Sequence, residues 1–174
     1  MEHLAEVVAR PSTPGLETIL HRLDELVRPK GPPKIQVMLA TPSDEELLLR
    51  WTHRFAIDCG LAAEGSDPPE AAVVRNKGRY FLAKNESGEL VSMTAISRET
   101  PNSASLSYVY TPPQHRGQGY ASALVAEVTQ FAMDGGKSYC MLFTDRANPT
   151  SNKIYRALGY YPIGEFREVT FDGE

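Results

Sequence analysis

Apolar positions along the chain fall into two rhythms. Leu16, Ile19, Leu20, Leu23 and Val27 recur at helical spacing, and Pro29, Gly31, Pro32 and Pro33 follow them. This predicts a short amphipathic helix and a stiff linker over residues 1–33. Residues 34–40 read as a short strand. Thr41 and Pro42, followed by Ser43, Asp44, Glu45 and Glu46, open a helix that carries Leu47, Leu48, Trp51, Phe55 and Ile57 toward a core. An acidic stretch runs from Asp58 to Glu70, and a second helix is predicted around residues 71–75. Residues 79–83 and 90–96 then read as strands joined by a hairpin through Asn85, Glu86, Ser87 and Gly88. A third strand covers 104–110, beyond the turn at Pro101 and Asn102. The pattern to this point is an antiparallel meander.

The rhythm changes after residue 116. Ala121, Leu124, Val125, Val128, Phe131 and Ala132 line one face of a long helix over 117–134, closed by Gly135 and Gly136. Residues 139–143 are apolar throughout, as in a strand covered on both faces. Strand, helix and strand in this order imply a right-handed crossover and a parallel pair. A shorter helix over 149–158, stopped by Gly159, and a last strand over 165–171 complete a mixed α/β domain.

Composition narrows the function. The 174 residues are 41% hydrophobic and 23% charged, a globular balance. Eighteen basic against 22 acidic side chains give a net charge of -4, which argues against nucleic acid as the partner. No run approaches about 18 consecutive apolar residues, so no membrane-spanning helix is predicted. The first residues lack the basic-then-apolar order of a signal peptide, so a cytoplasmic location is expected. Cys59 and Cys140 sit in apolar stretches and read as reduced, buried thiols, and no metal-ligand spacing is present.

The strongest chemical feature is the loop over 114–121, which joins a strand to the N-terminus of the long helix. Amides at a helix N-terminus have no intrahelical acceptor, and the helix dipole favours an anion there. Gly117 and Gly119 let the backbone approach phosphate closely. Read alone, the loop is either an anion site or a glycine-rich turn that starts a helix. Tyr120 and Ala121 stand where a nucleoside-triphosphate loop needs Lys and Ser or Thr. A dinucleotide fingerprint wants Gly or Ala where Ser122 sits, and Asp145 only mimics its ribose-binding acid.

Gln114, Gly117 and Gly119 carry the Gln/Arg-x-x-Gly-x-Gly/Ala motif, and this chain resembles the GNAT superfamily of N-acetyltransferases. Residues 148–160, with Asn148, Asn152, Tyr155 and the Leu158-Gly159-Tyr160 end, resemble the family's tyrosine-bearing helix. The likeness is strong over 104–160, looser over 34–103 and absent before. It implies a GNAT-like mixed sheet over residues 34–174, an antiparallel N-terminal meander with a parallel pair flanked by helices. Acetyl-CoA is then the implied co-substrate. Val109 and Thr111 would pair with its pantetheine arm, and an amide near Val109 and Tyr110 would face the oxyanion. Amides of Arg116, Gly117, Gln118, Gly119, Tyr120 and Ala121, in the loop opened by Gln114, would hold the pyrophosphate. Asn148 and Asn152 would contact the cofactor beyond it, with Asn148 also suited to capping its helix. Tyr155 would protonate the thiolate.

The implied acceptor is a small-molecule or peptide amine, with no nucleic acid, membrane or metal involved. Asp58, Glu64, Asp67 and Glu70 would flank its entrance and attract a cation. Residues 105–110 hold no carboxylate to act as base. A non-catalytic acyl-CoA-binding module is the alternative reading. His115 has no visible partner, and residues 1–33 offer a surface for a homodimer.

Overall fold

The computed structural model describes residues 12–67 and 79–171. Strands β1 (Ser12–Leu23) and β2 (Gln36–Leu39) precede helix α1 (Glu45–Asp58). Strands β3 (Tyr80–Lys84), β4 (Leu90–Glu99) and β5 (Ser103–Tyr110) form the expected meander. Helix α2 (Tyr120–Asp134), strand β6 (Tyr139–Asp145), helix α3 (Pro149–Ala157) and strand β7 (Tyr161–Phe171) follow. All seven strands make one sheet in the order β2-β3-β4-β5-β6-β1-β7. Among the described strands only β5 and β6 run parallel, as the strand-helix-strand order predicts.

The N-terminal helix expected over 16–27 is not there: this stretch contains β1, set inside the sheet. It pairs antiparallel with β6 from Thr18 to Leu23 and with β7 from Ser12 to Arg22. The apolar spacing misleads because His21 belongs to the buried set. Ile19, His21 and Leu23 alternate inward at 8%, 0% and 0% exposure, a period of two. Pro14, Gly15 and the β-branched Thr13, Thr18 and Ile19 also disfavour a short helix. The helix predicted at 71–75 lies outside the described residues.

Alternation along β3 divides the core in two. Tyr80 and Leu82, with Met93, Ala95 and Tyr110, face Leu48 and Trp51 of α1. Phe81 and Ala83, with Ile96, Leu106, Cys140 and Leu142, face Leu124, Val125 and Val128 of α2 and Tyr155 of α3. Strand β7 starts at Tyr161, earlier than expected, because β1 gives it a partner. As the edge strand it leaves Ile163, Phe166, Val169 and Phe171 exposed, and Phe166 contacts the exposed Phe143 ring at 5.6 Å.

From β1 the chain runs past α3 to reach the far edge of the sheet. The Val27 amide donates to the Leu158 carbonyl at 2.9 Å, and Arg28 pairs with Glu127 of α2 at 2.6 Å. Gly159 makes this close passage possible. Its φ is +100°, and a Cβ there would lie 2.8 Å from the Glu25 carbonyl oxygen. Gly159→Ala is expected to cost about 1–3 kcal/mol from backbone strain together with the clash. A lower urea midpoint at unchanged m-value would show it. An unchanged midpoint would mean that the Glu25 segment yields without cost.

Candidate active site

Strands β5 and β6 pair only from Ser103↔Tyr139 to Leu106↔Leu142. Beyond Leu106 they separate, although β5 continues to Tyr110 and β6 to Asp145. A bulge drives the separation. Tyr110 lies opposite Met93 while Ser107 lies opposite Ala95, so β5 holds one residue more than β4 across this span. Tyr108, at φ 52°, is the only non-glycine residue with positive φ among the described residues. Such a conformation costs about 1–3 kcal/mol and persists only where neighbours enforce it.

Strand β4 supplies the enforcement. Thr94 donates its hydroxyl to the Ser107 carbonyl at 3.0 Å, and Ser92 donates to the Tyr110 carbonyl at 3.0 Å. These side chains replace ladder bonds that the bulge breaks. Both are fully buried. Sequence reasoning missed them, although polar residues at 92 and 94 in an otherwise apolar strand were a signal. The consequence is a wedge between β5 and β6, with backbone groups on the β6-facing edge of 107–110 left outside that pairing.

The loop at the wedge's mouth forms an amide cradle. Gly117 and Gly119 adopt φ 73° and 83°, and Gly119 is the N-cap of α2. A glycine cap brings no side-chain oxygen, and the first turn of α2 has no acid. The first backbone bond of the helix is from Ala123 to the Gly119 carbonyl, at 3.0 Å. The amides of residues 117–122 therefore have no acceptor among the described residues. A Cβ on Gly117 would meet nothing within 4 Å, so space lies open above it. Pro33 closes the other side, 3.2 Å from a Cβ built on Gly119.

Two backbone groups expected at the cofactor have partners within the loop itself. The Arg116 amide donates to the Pro113 carbonyl at 3.2 Å within a short 3-10 turn, so it is not one of the unengaged amides. Ser122, which sequence reasoning left out, contributes its amide instead. The Thr111 carbonyl also has a partner, Arg116 Nε at 2.9 Å. Gln118 reaches back to the Gln114 carbonyl at 3.3 Å and steadies the turn. His115 stands edge-on to Tyr120, with ring centres 6.3 Å apart, and its ring makes no hydrogen bond among the described residues.

Helix α3 is finished where α2 is open. The Asn148 side-chain oxygen accepts from the Ser151 amide at 3.0 Å, a true N-cap, with Pro149 in the first turn. Its NH2 group is unengaged among the described residues. Asn152 is different. Its NH2 group donates to the Asn148 carbonyl at 2.8 Å and the Asp145 carbonyl at 3.1 Å, and its oxygen accepts from Thr144 at 2.7 Å. Only 8% exposed, Asn152 braces the turn from β6 to α3.

The brace extends to β1. Thr144 gives its only proton to Asn152, so it can only accept from His21 Nε2 at 3.1 Å. His21 is thus the Nε2–H tautomer, with a buried Nδ1 that has no hydrogen-bond partner among the described residues. Burial, and then the Arg156 cation, hold its pKa below the ordinary value against an opposing contact with Asn152. The unfolded chain therefore binds the proton more tightly than the folded one. The resulting stability is complete above about pH 6.5 and is lost as pH falls below it. Urea midpoints are expected to fall from pH 7.5 to 5.5, and to fall less in His21→Gln. Equal falls in the two proteins would remove His21 from the account.

Tyr155 lies one turn after Asn152, buried at 7% exposure against Tyr160, with ring centres 6.0 Å apart. Its hydroxyl has no hydrogen-bond partner among the described residues. Burial, and then Cys59, push its pKa well above the ordinary tyrosine value, so it is a protonated donor at neutral pH. Cys59 caps α1, its amide donating to the Phe55 carbonyl at 3.0 Å. Burial first, then Asp58 and Asp145, push the Cys59 thiol up to about 11, and burial does the same for Cys140. Both thiols stay protonated at neutral pH. Among the acids expected at an acceptor entrance, Glu64 pairs with Arg54 at 3.2 Å and Asp58 pairs with Arg116 at 2.5 Å. Glu70 lies outside the described residues.

Comparison with known proteins agrees with this geometry. Residues 45–160 match the model of the acetyltransferase (GNAT) family. The chain is 31% identical over 118 residues to the N-acetylaspartate synthetase of Danio rerio, covering 67% of this chain and 42% of that protein. It is 29% identical over 119 residues to human N-acetyltransferase 8B, covering 66% and 52% respectively. The chain thus spans about half the length of the curated relatives it matches. Among solved structures, a GCN5-related N-acetyltransferase from Kribbella flavida superposes with TM-score 0.69 at 21% identity, over 99% of this chain and 64% of that one. A GNAT-family acetyltransferase from Novosphingobium aromaticivorans gives 0.66 at 19%, over 95% and 70%. Matched by the family model over residues 45–160, this chain belongs to the GNAT family of acetyltransferases.

Proposed function

We propose that this chain moves an acetyl group from acetyl-CoA to a primary amine of a small molecule or peptide. The observation that carries the reading is the row of unengaged amides at 117–122, set at an uncapped helix end beside the β5–β6 wedge. Acetyl-CoA, when bound, supplies a thioester-linked acetyl group and an anionic pyrophosphate. Several converging amides and the α2 dipole suit that pyrophosphate without a metal. The β6-facing edge of 107–110 suits an extended amide-bearing arm, much as a sheet edge accepts an added strand.

The remaining roles follow from position. One backbone amide of Val109, Tyr110 or Thr111, at the open end of β5, donates to the acetyl carbonyl oxygen as negative charge develops. Such a donor is worth roughly 3–4 kcal/mol where its removal has been measured. Tyr155 holds a proton at neutral pH and passes it to the sulfur that leaves. Asn148 turns its unengaged NH2 group to the cofactor, while Asn152 holds the turn that positions it. Gln114, Gln118, Tyr120 and Ala121 shape the cradle.

Thermal melting with acetyl-CoA and with NADPH, followed by thiol release over a panel of amines, tests the reading. A shift with acetyl-CoA alone and release with at least one amine are expected. No acetyl-CoA shift would remove the cofactor assignment, and tight binding with no release from any amine would remove the acceptor class.

A further inference from the structure

Asp58 is the last residue of α1, where a carboxylate faces the negative end of the helix dipole. The last turn of α1 holds no basic residue to offset it. A local rule broken in this way points to a role outside the helix. The compensating charge comes from the cradle loop. Arg116 donates to Asp58 Oδ2 at 2.5 Å and through Nε to the Thr111 carbonyl at 2.9 Å. Its guanidinium carbon lies 5.8 Å from the Tyr110 ring centre. Arg116 thus stands next to Gly117, at the rim of an anion cradle, yet spends its charge on α1.

Through Arg116, Asp58 is joined to the Thr111 carbonyl just beyond the end of β5. After burial, its negative charge is the next cause raising the pKa of both Tyr110 and Cys59. Helix α1 thus brings a carboxylate to the cradle loop, held there by Arg116. Arg116 and Asp58 are 47% and 44% exposed, and a pair so open to water is readily exchanged.

We propose that Asp58 is the seat for the cationic ammonium group of the acceptor, and that Arg116 occupies this seat until an anion in the amide cradle draws its guanidinium away. An ammonium is the natural replacement, carrying the same charge and N–H donors. The anion is identified through the acetyl-CoA reading, on which this part of the proposal rests. Filling the cradle strengthens the seat, and by reciprocity filling the seat strengthens the cradle. The acceptor class that follows is an amine that arrives protonated.

The test titrates n-hexylammonium into the whole chain, with and without saturating CoA, and follows binding by 1H–15N NMR. In the wild type, CoA is expected to strengthen hexylammonium binding about tenfold. Arg116→Gln is expected to bind it equally well with and without CoA. Asp58→Asn, with its melting temperature retained, is expected to bind it about tenfold more weakly than CoA-saturated wild type in either condition. Equal affinity in Asp58→Asn and wild type with CoA present overturns the seat. Equal affinity with and without CoA in the wild type overturns the exchange. Failure of CoA to bind at all is a failure of the acetyl-CoA reading, and Arg116→Gln then decides the seat alone. A gain in hexylammonium affinity that the Asp58→Asn/Arg116→Gln double variant lacks supports it, and the absence of that gain overturns it.

Discussion

Deleting residues 1–33 is expected to abolish cooperative folding. Strand β1 has a neighbour on each side, β6 from Thr18 to Leu23 and β7 from Ser12 to Arg22. Without it, β7 loses its only partner among the described strands and β6 its antiparallel neighbour. The core loses Ile19 and Leu23, each worth about 1.5–3 kcal/mol of burial. Thr144 loses its contact to His21 as well. Against a net domain stability of about 5–15 kcal/mol, the loss of an interior strand is decisive. Urea unfolding followed by near-ultraviolet circular dichroism should show no sigmoidal transition in the truncated chain. A transition within a few degrees or tenths molar of the full chain would mean that β6 and β7 pair directly once β1 is gone.

Tyr155→Phe is expected to lower kcat about 100-fold while leaving acetyl-CoA affinity within about threefold, the loss of one positioned proton donor. The substitution keeps the ring that packs against Tyr160, so the helix should hold its place. It removes only the hydroxyl, whose raised pKa makes it a donor across the neutral range. The loss should therefore fall on turnover and not on binding. Single-turnover rates together with a CoA titration separate the two. A kcat within twofold of wild type would assign the thiolate's proton to water and leave Tyr155 as a packing residue.

These two experiments fall on opposite sides of what the residue order discloses. The loop at 114–121, the one-faced α2 and the tyrosine on α3 are local features, legible because spacing alone defines them. The parallel pair is legible because a helix between two strands leaves little choice. Strand β1 is not legible, since its partners lie at the other end of the chain. His21, polar by type, hides the period of two that burial restores. Asn152 shows the same limit at the level of a single side chain. Its motif suggests a ligand contact, whereas Thr144 and the backbone carbonyls of Asp145 and Asn148 already claim its amide. Arg116 and Asp58 lie 58 positions apart, and nothing in the spacing joins them.

The interior place of β1 also bears on how the molecule is made. His21 and Thr144, joined in the finished protein, are 123 positions apart. At about 5–20 residues per second of synthesis, β1 leaves the ribosome roughly ten seconds before β6 exists to receive it. Through that interval Ile19 and Leu23 have no lasting partner, and the strand is open to binding by chaperones or by other nascent chains. Sheet closure must wait for β6 and β7, a pairing of high contact order that folds slowly. Strand β1 is thus translated early and fixed in place late, and yield of soluble protein should depend on the pace of synthesis more than on final stability.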